Sequence, residues 1–244
     1  QVEVIGCNRA KDLIRAIGRL RECGAELTLV DGAAGRTFLA SPDVVQTFVL
    51  ATGAAFDSDV HGIAHAARMA VQLFSLPAPP PRMARRAEQA MESGVSAIIR
   101  SDGRMEPLSW PTLLGRESLV AAMMSPDDMG LACARAVGDE LLAALASSLR
   151  EHPPRPGVFL VVAADPSKIA AGDRGVKAFQ AAGGELTVLR KARVVAVSVN
   201  PSSPSGIALD PADLVIEVSK HVEELPVFDI VAELSASGGV MLET

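Results

Sequence analysis

Tyrosine is absent from this chain of 244 residues, and aromatic residues of all kinds make up 3%. That removes the stacking platforms on which bases and sugars are usually held. Only three cysteines occur, Cys7, Cys23 and Cys133, far apart and without CxxC or other metal-ligand spacing. They read as reduced core thiols of a cytoplasmic protein rather than a disulfide framework or a zinc site. A cationic excess is missing too: the net charge is −6, and Arg85-Arg86 is too short to count as a basic face. Nucleic acid, which needs concentrated Lys and Arg, is therefore not an expected partner. No run of about eighteen apolar residues occurs, so no membrane span is expected. The opening residues QVEVIG alternate like a strand, without initiator Met and without the charged-then-apolar pattern of a secretory signal. The expectation is a chain that starts within a longer protein.

What is present is a 49% hydrophobic chain rich in small residues, long enough for one large α/β domain or two packed halves. After the opening strand, Leu13, Ile14, Ile17 and Leu20 share a helical face, and Gly24 separates that helix from a strand at Glu26–Val30. This predicts a β-α-β unit. Ser41-Pro42-Asp43 reads as a helix start, followed by an apolar strand through Phe48–Ala51 that closes at Thr52-Gly53. Helical spacing covers Asp59–Leu76, and the prolines of LPAPPPR, at Leu76–Arg82, form the clearest linker. A short helix at Arg82–Glu92, a strand and tight turn at Val95–Arg104, and a long helix at Asp128–Leu149 follow. Ser125-Pro126-Asp127 is the expected cap of that long helix.

Beyond a second breaker, HPPRPG, the pattern of the first fifty residues returns: strand Val158–Ala163, helix Lys168–Ala182, then strands Glu185–Leu189 and Val194–Val199. GAELTLV, from Gly24, and GGELTVL, from Gly183, occupy equivalent places. The expected fold is α/β, a mainly parallel sheet flanked by helices, with two similarly wired halves as one form of it. Three segments are delimited, 1–77, 78–152 and 153–244, which can pack as one domain.

Ligands of such sheets lie beyond the strand carboxyl ends, which directs attention to three loops. The first, LTLVDGAAGRT, resembles a phosphate-gripping loop, but a Walker loop requires GxxxxGK[ST]. Here the glycines Gly32 and Gly35 stand too close, Arg36 takes the place of Lys, and Pro42 follows too soon for a long helix. What remains is Asp31 at an expected strand end beside Gly32, with Arg36 five residues on. They either face a crevice as ligand groups, or Asp31 caps its own turn while Arg36 pairs with a surface carboxylate. The second loop carries Thr52 and Gly53, a hydroxyl beside a flexible residue. The third, VNPSSPSG, offers Asn200, Ser202 and Ser203 in a rigid, uncharged setting suited to hydrogen-bonding a backbone or neutral ligand; a plain surface connector fits its composition as well. The expectation is that Asp31, Thr52 and Asn200 share one side of the sheet.

Conventional catalytic patterns are not found. His61 and His65 lie four apart, but HGIAH lacks the Glu of HExxH and a third ligand, and surface histidines are the simpler reading. There is no GxSxG elbow. Asp165-Pro166-Ser167-Lys168 reads as a strand-to-helix cap.

The stretches LVDGAAGRTFLASPDVVQTFVLATGAA, VSVNPSSPSGIALDPADL and LPVFDIV resemble the smaller, non-ATPase subunit of the lysine 5,6-aminomutase reactivating factor. The likeness covers most of residues 1–77 and 194–231. It implies a chaperone-like accessory protein of lysine degradation that helps exchange damaged cobalamin in a radical aminomutase. The implied partners are a separate mismatch-repair-like ATPase and the cobalamin-dependent aminomutase. ATP and adenosylcobalamin are then bound through those partners, with no cofactor expected on this chain itself and no catalytic residue or metal ligand named in it. Arg36 is the expected partner contact, since a guanidinium fork can grip a carboxylate or carbonyls. The competing reading is a small-molecule- or nucleotide-binding α/β enzyme with a pocket lined by Asp31, Arg36, Thr52 and Asn200.

Overall fold

The computed structural model describes residues 3, 4, 7, 9–31, 40–155 and 157–242. The elements in chain order are α1 (Ala10–Glu22), β1 (Thr47–Gly53), α2 (Val60–Phe74), α3 (Pro81–Glu92), β2 (Ala97–Ile99), β3 (Met105–Pro107), α4 (Glu117–Ala122), β4 (Gly130–Cys133) and β5 (Val137–Gly138). Then come α5 (Asp139–Glu151), β6 (Phe159–Ala163), a 3₁₀ turn at Pro166–Lys168, β7 (Ile169–Ala170), α6 (Asp173–Ala181), β8 (Gly184–Val188) and β9 (Arg193–Asn200). The chain closes with α7 (Pro211–His221), β10 (Val227–Asp229), β11 (Leu234–Ser237) and β12 (Val240–Leu242).

The fold is α/β, with mostly parallel strands flanked by helices. One sheet has the order β1-β9-β10-β11-β12 and the other β3-β2-β4-β6-β8, while β5 and β7 form a short parallel pair. In the first sheet β1, β9 and β10 run parallel and β11 and β12 add an antiparallel edge. In the second β4, β6 and β8 run parallel, with the β2–β3 hairpin antiparallel beside β4. The pairings cross the three sequence segments: β1 lies against β9, and β4 against β6.

Each sheet buries its own apolar set. Beneath α2 and α7, Ile63, Ala64, Leu214, Val215 and Val218 pack on Val197, Val199 and Val227 of the first sheet. The second sheet is covered on both faces: Leu142, Leu145 and Phe179 from α5 and α6 lie on one side, and Met83 and Ala87 of α3 on the other. This double cover explains why β4 and β6 are buried at every position, as parallel strands between two layers must be.

The structure corrects several sequence expectations. Residues 26–30 form no strand; Leu27 and Leu29 are 76% and 84% exposed. Alternation makes a strand only where a neighbour offers a ladder, and among the described residues no β-strand pairs with this segment, so it does not complete a β-α-β unit there. Glu3 and Val4 are likewise outside any strand, and the rest of that opening stretch lies outside the described residues. GGELTVL contains β8, whereas GAELTLV contains no strand, so a shared phrase does not bring a shared neighbour. Ser41-Pro42-Asp43 makes a single turn, closed by the Val44 and Val45 amides donating to the Ser41 carbonyl. The long helix expected from Asp128 begins at Asp139, because Gly130–Cys133 is a fully buried central strand. Four apolar residues in a row do not distinguish a buried strand from a helix by periodicity. Ser125-Pro126-Asp127 instead forms a turn in which the Ser125 amide donates to Asp128 at 2.7 Å. Pro81 belongs to α3 as its first residue, where no amide donor is required.

Candidate functional site

Three distant stretches meet at the carboxyl ends of β1, β9 and β10. In the β1–β9 register Thr52 opposes Val199 and Gly53 opposes Asn200. The Ala54 amide donates to the Asn200 carbonyl at 2.9 Å, which extends the ladder past the strand. A Cβ on Gly53 would lie 2.0 Å from the same carbonyl oxygen, and the residue has φ +153, so the close approach of the two strands here requires glycine. Val227 is in register with Val197 and Phe228 with Ser198, and Asp229 is the next and last residue of β10.

Pleating fixes which side chains share a face. Val227 packs with the α2 and α7 residues, so Asp229, two residues on, is on that helix-covered face. Leu50 packs against the same cluster, which puts Thr52 there too. Thr52, Val199 and Asp229 therefore share one face near the carboxyl ends of three adjacent strands.

Asp229 is 2% exposed. Its Oδ1 accepts the Val231 amide at 2.9 Å and the Ala232 amide at 3.1 Å. Its Oδ2 is buried and has no hydrogen-bond partner among the described residues. Immediately beyond, Ile230 and Val231 are 73% and 92% exposed. This edge thus joins an orphaned carboxylate oxygen to an exposed apolar rim.

The β9–α7 loop is tied to itself. The Ser202 amide donates to Asn200 Oδ1 at 2.9 Å, Ser203 Oγ lies 2.6 Å from Ser205 Oγ, and the Ser203 amide donates to the Ile207 carbonyl at 2.9 Å. Asn200 is exposed, and among the described residues its side-chain amide nitrogen makes no hydrogen bond within this loop. The α2 and α7 helices both start at this edge, capped by Asp59 accepting from the Gly62 amide and by Asp210 accepting from the Asp213 amide. Those carboxylates occupy the helix N-termini that would otherwise attract an anion.

Of the sequence candidates, Thr52, Gly53, Asn200, Ser202 and Ser203 come together here. Gly32 and Arg36 lie outside the described residues. Asp31 is described but ends no strand. The loop that contains them re-enters the described chain at Ala40–Asp43, beyond the opposite, amino end of β1. There Ser41 Oγ donates to Asp165 Oδ2 at 3.4 Å, and Arg190 pairs with both Asp43 and Asp165. Asp165, fully buried, also caps the 3₁₀ turn by accepting the Ser167 amide at 2.9 Å. The residue that sequence reasoning missed is Asp229. Its signal was the one applied to Asp31: an aspartate that closes an apolar strand.

Other candidates are quiet. His61 lies on α2 and contacts Glu217 at 3.1 Å, while His65 is exposed. Among the described residues no group of three or more His, Cys, Asp or Glu is placed to hold a metal ion. Burial pushes the Cys133 thiol up to about 12, which leaves it protonated and poorly nucleophilic. Among the described residues no helix is long and apolar enough to cross a membrane.

Fold and site together define an α/β protein with a polar, apolar-rimmed edge at the ends of three parallel strands. Comparisons with protein-family models, with curated proteins and with solved structures give no significant match.

Proposed function

We propose that this chain is a cytoplasmic accessory subunit that acts by contact, helping a separate mismatch-repair-like ATPase to reactivate an adenosylcobalamin-dependent aminomutase. One observation carries the reading. LATGAA, VNPSSPSG and LPVFDIV, three of the stretches that resemble the reactivating-factor subunit, lie far apart in sequence and end on adjacent parallel strands. The exposed Ile230 and Val231 beside them suit a protein partner, for which exposed apolar side chains next to hydrogen-bonding groups are a usual contact. The chain turns nothing over in this role, and ATP and cobalamin belong to its partners.

The test is reconstitution. Purified aminomutase inactivated by turnover, the ATPase and this chain are mixed with ATP and adenosylcobalamin, and recovery of activity is followed. Recovery that needs all three proteins supports the proposal. Recovery without this chain, or turnover of a small substrate by this chain alone, rejects it.

A second reading, a small-molecule site at the same edge, is favoured by the orphaned Asp229 oxygen. A ligand with an N–H or ammonium donor would satisfy it. Saturable binding of such a compound that is lost in Asp229→Ala, without any partner protein, would favour this reading.

A further inference from the structure

A groove of about 1000 Å³ opens beside the amino end of β9, between the last turns of α2 and α7. Its floor is Lys191–Val194, the end of the connection from β8 and the first two residues of β9, and its walls are the last turns of α2 and α7 with the residues that follow them. It therefore lies at the amino end of β9 and beside the carboxyl ends of α2 and α7, where the connection from β8 enters the first sheet.

The lining is cationic in a chain whose net charge is −6. Arg68, Lys191 and Arg193 come from two separate elements and face the groove, and none of the three forms an ion pair among the described residues. Lys220 is a fourth cation, already engaged with Glu217 at 3.1 Å. The end of α2 does not account for the other three: Ser75 closes it, its amide and its Oγ both donating to the Val71 carbonyl, at 3.0 Å and 2.8 Å. Arg68, Lys191, Arg193 and Lys220 outnumber Glu223 and Glu224 in the lining, and like charges in excess repel one another, a cost that a bound anion offsets.

Glu223 and Glu224 line the same groove. They would repel a polyanion laid along its length, which excludes a nucleic-acid strand and favours a compact anion set against the Arg68, Lys191 and Arg193 side. Guanidinium and ammonium groups from separate elements suit an anion with several oxygens in a small volume. We propose that this groove is a binding site for a compact, multiply charged phosphate, a diphosphate group free or carried on a nucleoside. The site is separate from the carboxyl edge of β1, β9 and β10, and it binds without breaking a bond.

The experiment is calorimetric titration of the full chain with inorganic pyrophosphate at low ionic strength, repeated with ADP. Saturable one-to-one binding that weakens with added salt is expected. Lys191→Gln with Arg193→Gln should weaken it by about tenfold or more, as loss of charged hydrogen bonds implies. Arg104→Gln with Arg155→Gln removes the same two charges outside the groove and should leave binding nearly unchanged. Arg68→Gln, on α2, tests the same pocket if the first pair fails to fold. Equal affinity for pyrophosphate and ADP identifies the diphosphate as the recognised group, and tighter ADP binding identifies a nucleotide. Absence of saturable binding, or equal loss in both double variants, overturns the proposal.

Discussion

Asp229 keeps one carboxylate oxygen without a partner under a layer of helices, and at the scale of single residues this is the least economical feature of the described structure. Burying an unpaired acceptor costs about 1–3 kcal/mol, and more when it is charged. Asp229→Asn keeps Oδ1 for the Val231 and Ala232 amides and removes the charge. We expect its urea midpoint to match or exceed that of the parent, with a gain of up to about 1 kcal/mol, while association at this edge weakens. Asp229→Ala strands both amides and should cost about 1–3 kcal/mol. A strong loss of stability in Asp229→Asn would mean that the charge serves the fold and not a ligand or partner. Glu217 presents the opposite case. Its carboxyl sits below the usual glutamate range because Lys220 hydrogen-bonds it, against the effect of burial and with help from His61. A carboxyl depressed on folding stabilises fully above its unfolded value, and that stabilisation disappears as pH falls through the folded one. The stability gap between the parent and Glu217→Gln should therefore be largest near neutrality and close below pH about 4. Urea midpoints at pH 7 and pH 3 measure it, and a gap of the same size at both would refute the assignment.

At the scale of elements, what the sequence revealed depended on whether a segment's fate was local. The helices α1, α2 and α3 were legible within a residue or two from spacing and breakers, as were β2 and the tight turn after it, whereas β3 was not read. Residues 26–30 and 130–133 were misread because their state is decided by neighbours: the first has the alternation of a strand and no strand beside it, the second sits between β2 and β6. The candidate site was legible where a motif closed a strand, at Thr52-Gly53 and Asn200. Its third member, Asp229, needed the pairing of β10 with β9, which no local pattern predicts. One tertiary link follows from the segment before β1. Arg190, at the exit of β8, pairs with Asp43 and Asp165 and so ties residues 40–43 to the second sheet. Arg190→Ala should speed amide exchange at Val44 and Val45, whose donors close the Ser41 turn, and leave the amides of β6 and β8 protected. Exchange read by NMR decides this. Unchanged protection at Val44 and Val45 would show that buried Asp165 and Ser41 hold the segment without Arg190.

The whole molecule is two cores on one chain. Every buried member of the clusters on the second sheet comes from residues 83–188. The cluster beneath α2 and α7 draws on residues that precede and follow that stretch, so the second sheet enters the chain as a unit between β1–α2 and β9. Few groups outside it are needed to complete it. Leu73 and Leu76 pack on its helical face, and the Val188 amide donates to the Pro77 carbonyl at 3.0 Å. A fragment of residues 76–190 retains both sheet faces, α3 to α6 and all the parallel pairing of β4, β6 and β8. It also lies within the usual size of an independent domain. We expect it to fold by itself, with a single cooperative urea transition and helical and strand dichroism matching this stretch of the parent. It loses the partly buried Leu73 and the Ser41 and Asp43 contacts to Asp165 and Arg190, so its unfolding free energy should fall by about 1–3 kcal/mol, the order expected for losing part of a leucine's burial and a buried hydrogen-bonded contact. A fragment that stays unfolded, while the full chain melts in one step, would show that the seam between the sheets carries much of the stability. In that case the groove at Lys191–Val194 would lie within one cooperative unit, and filling it should raise the melting temperature of both sheets together.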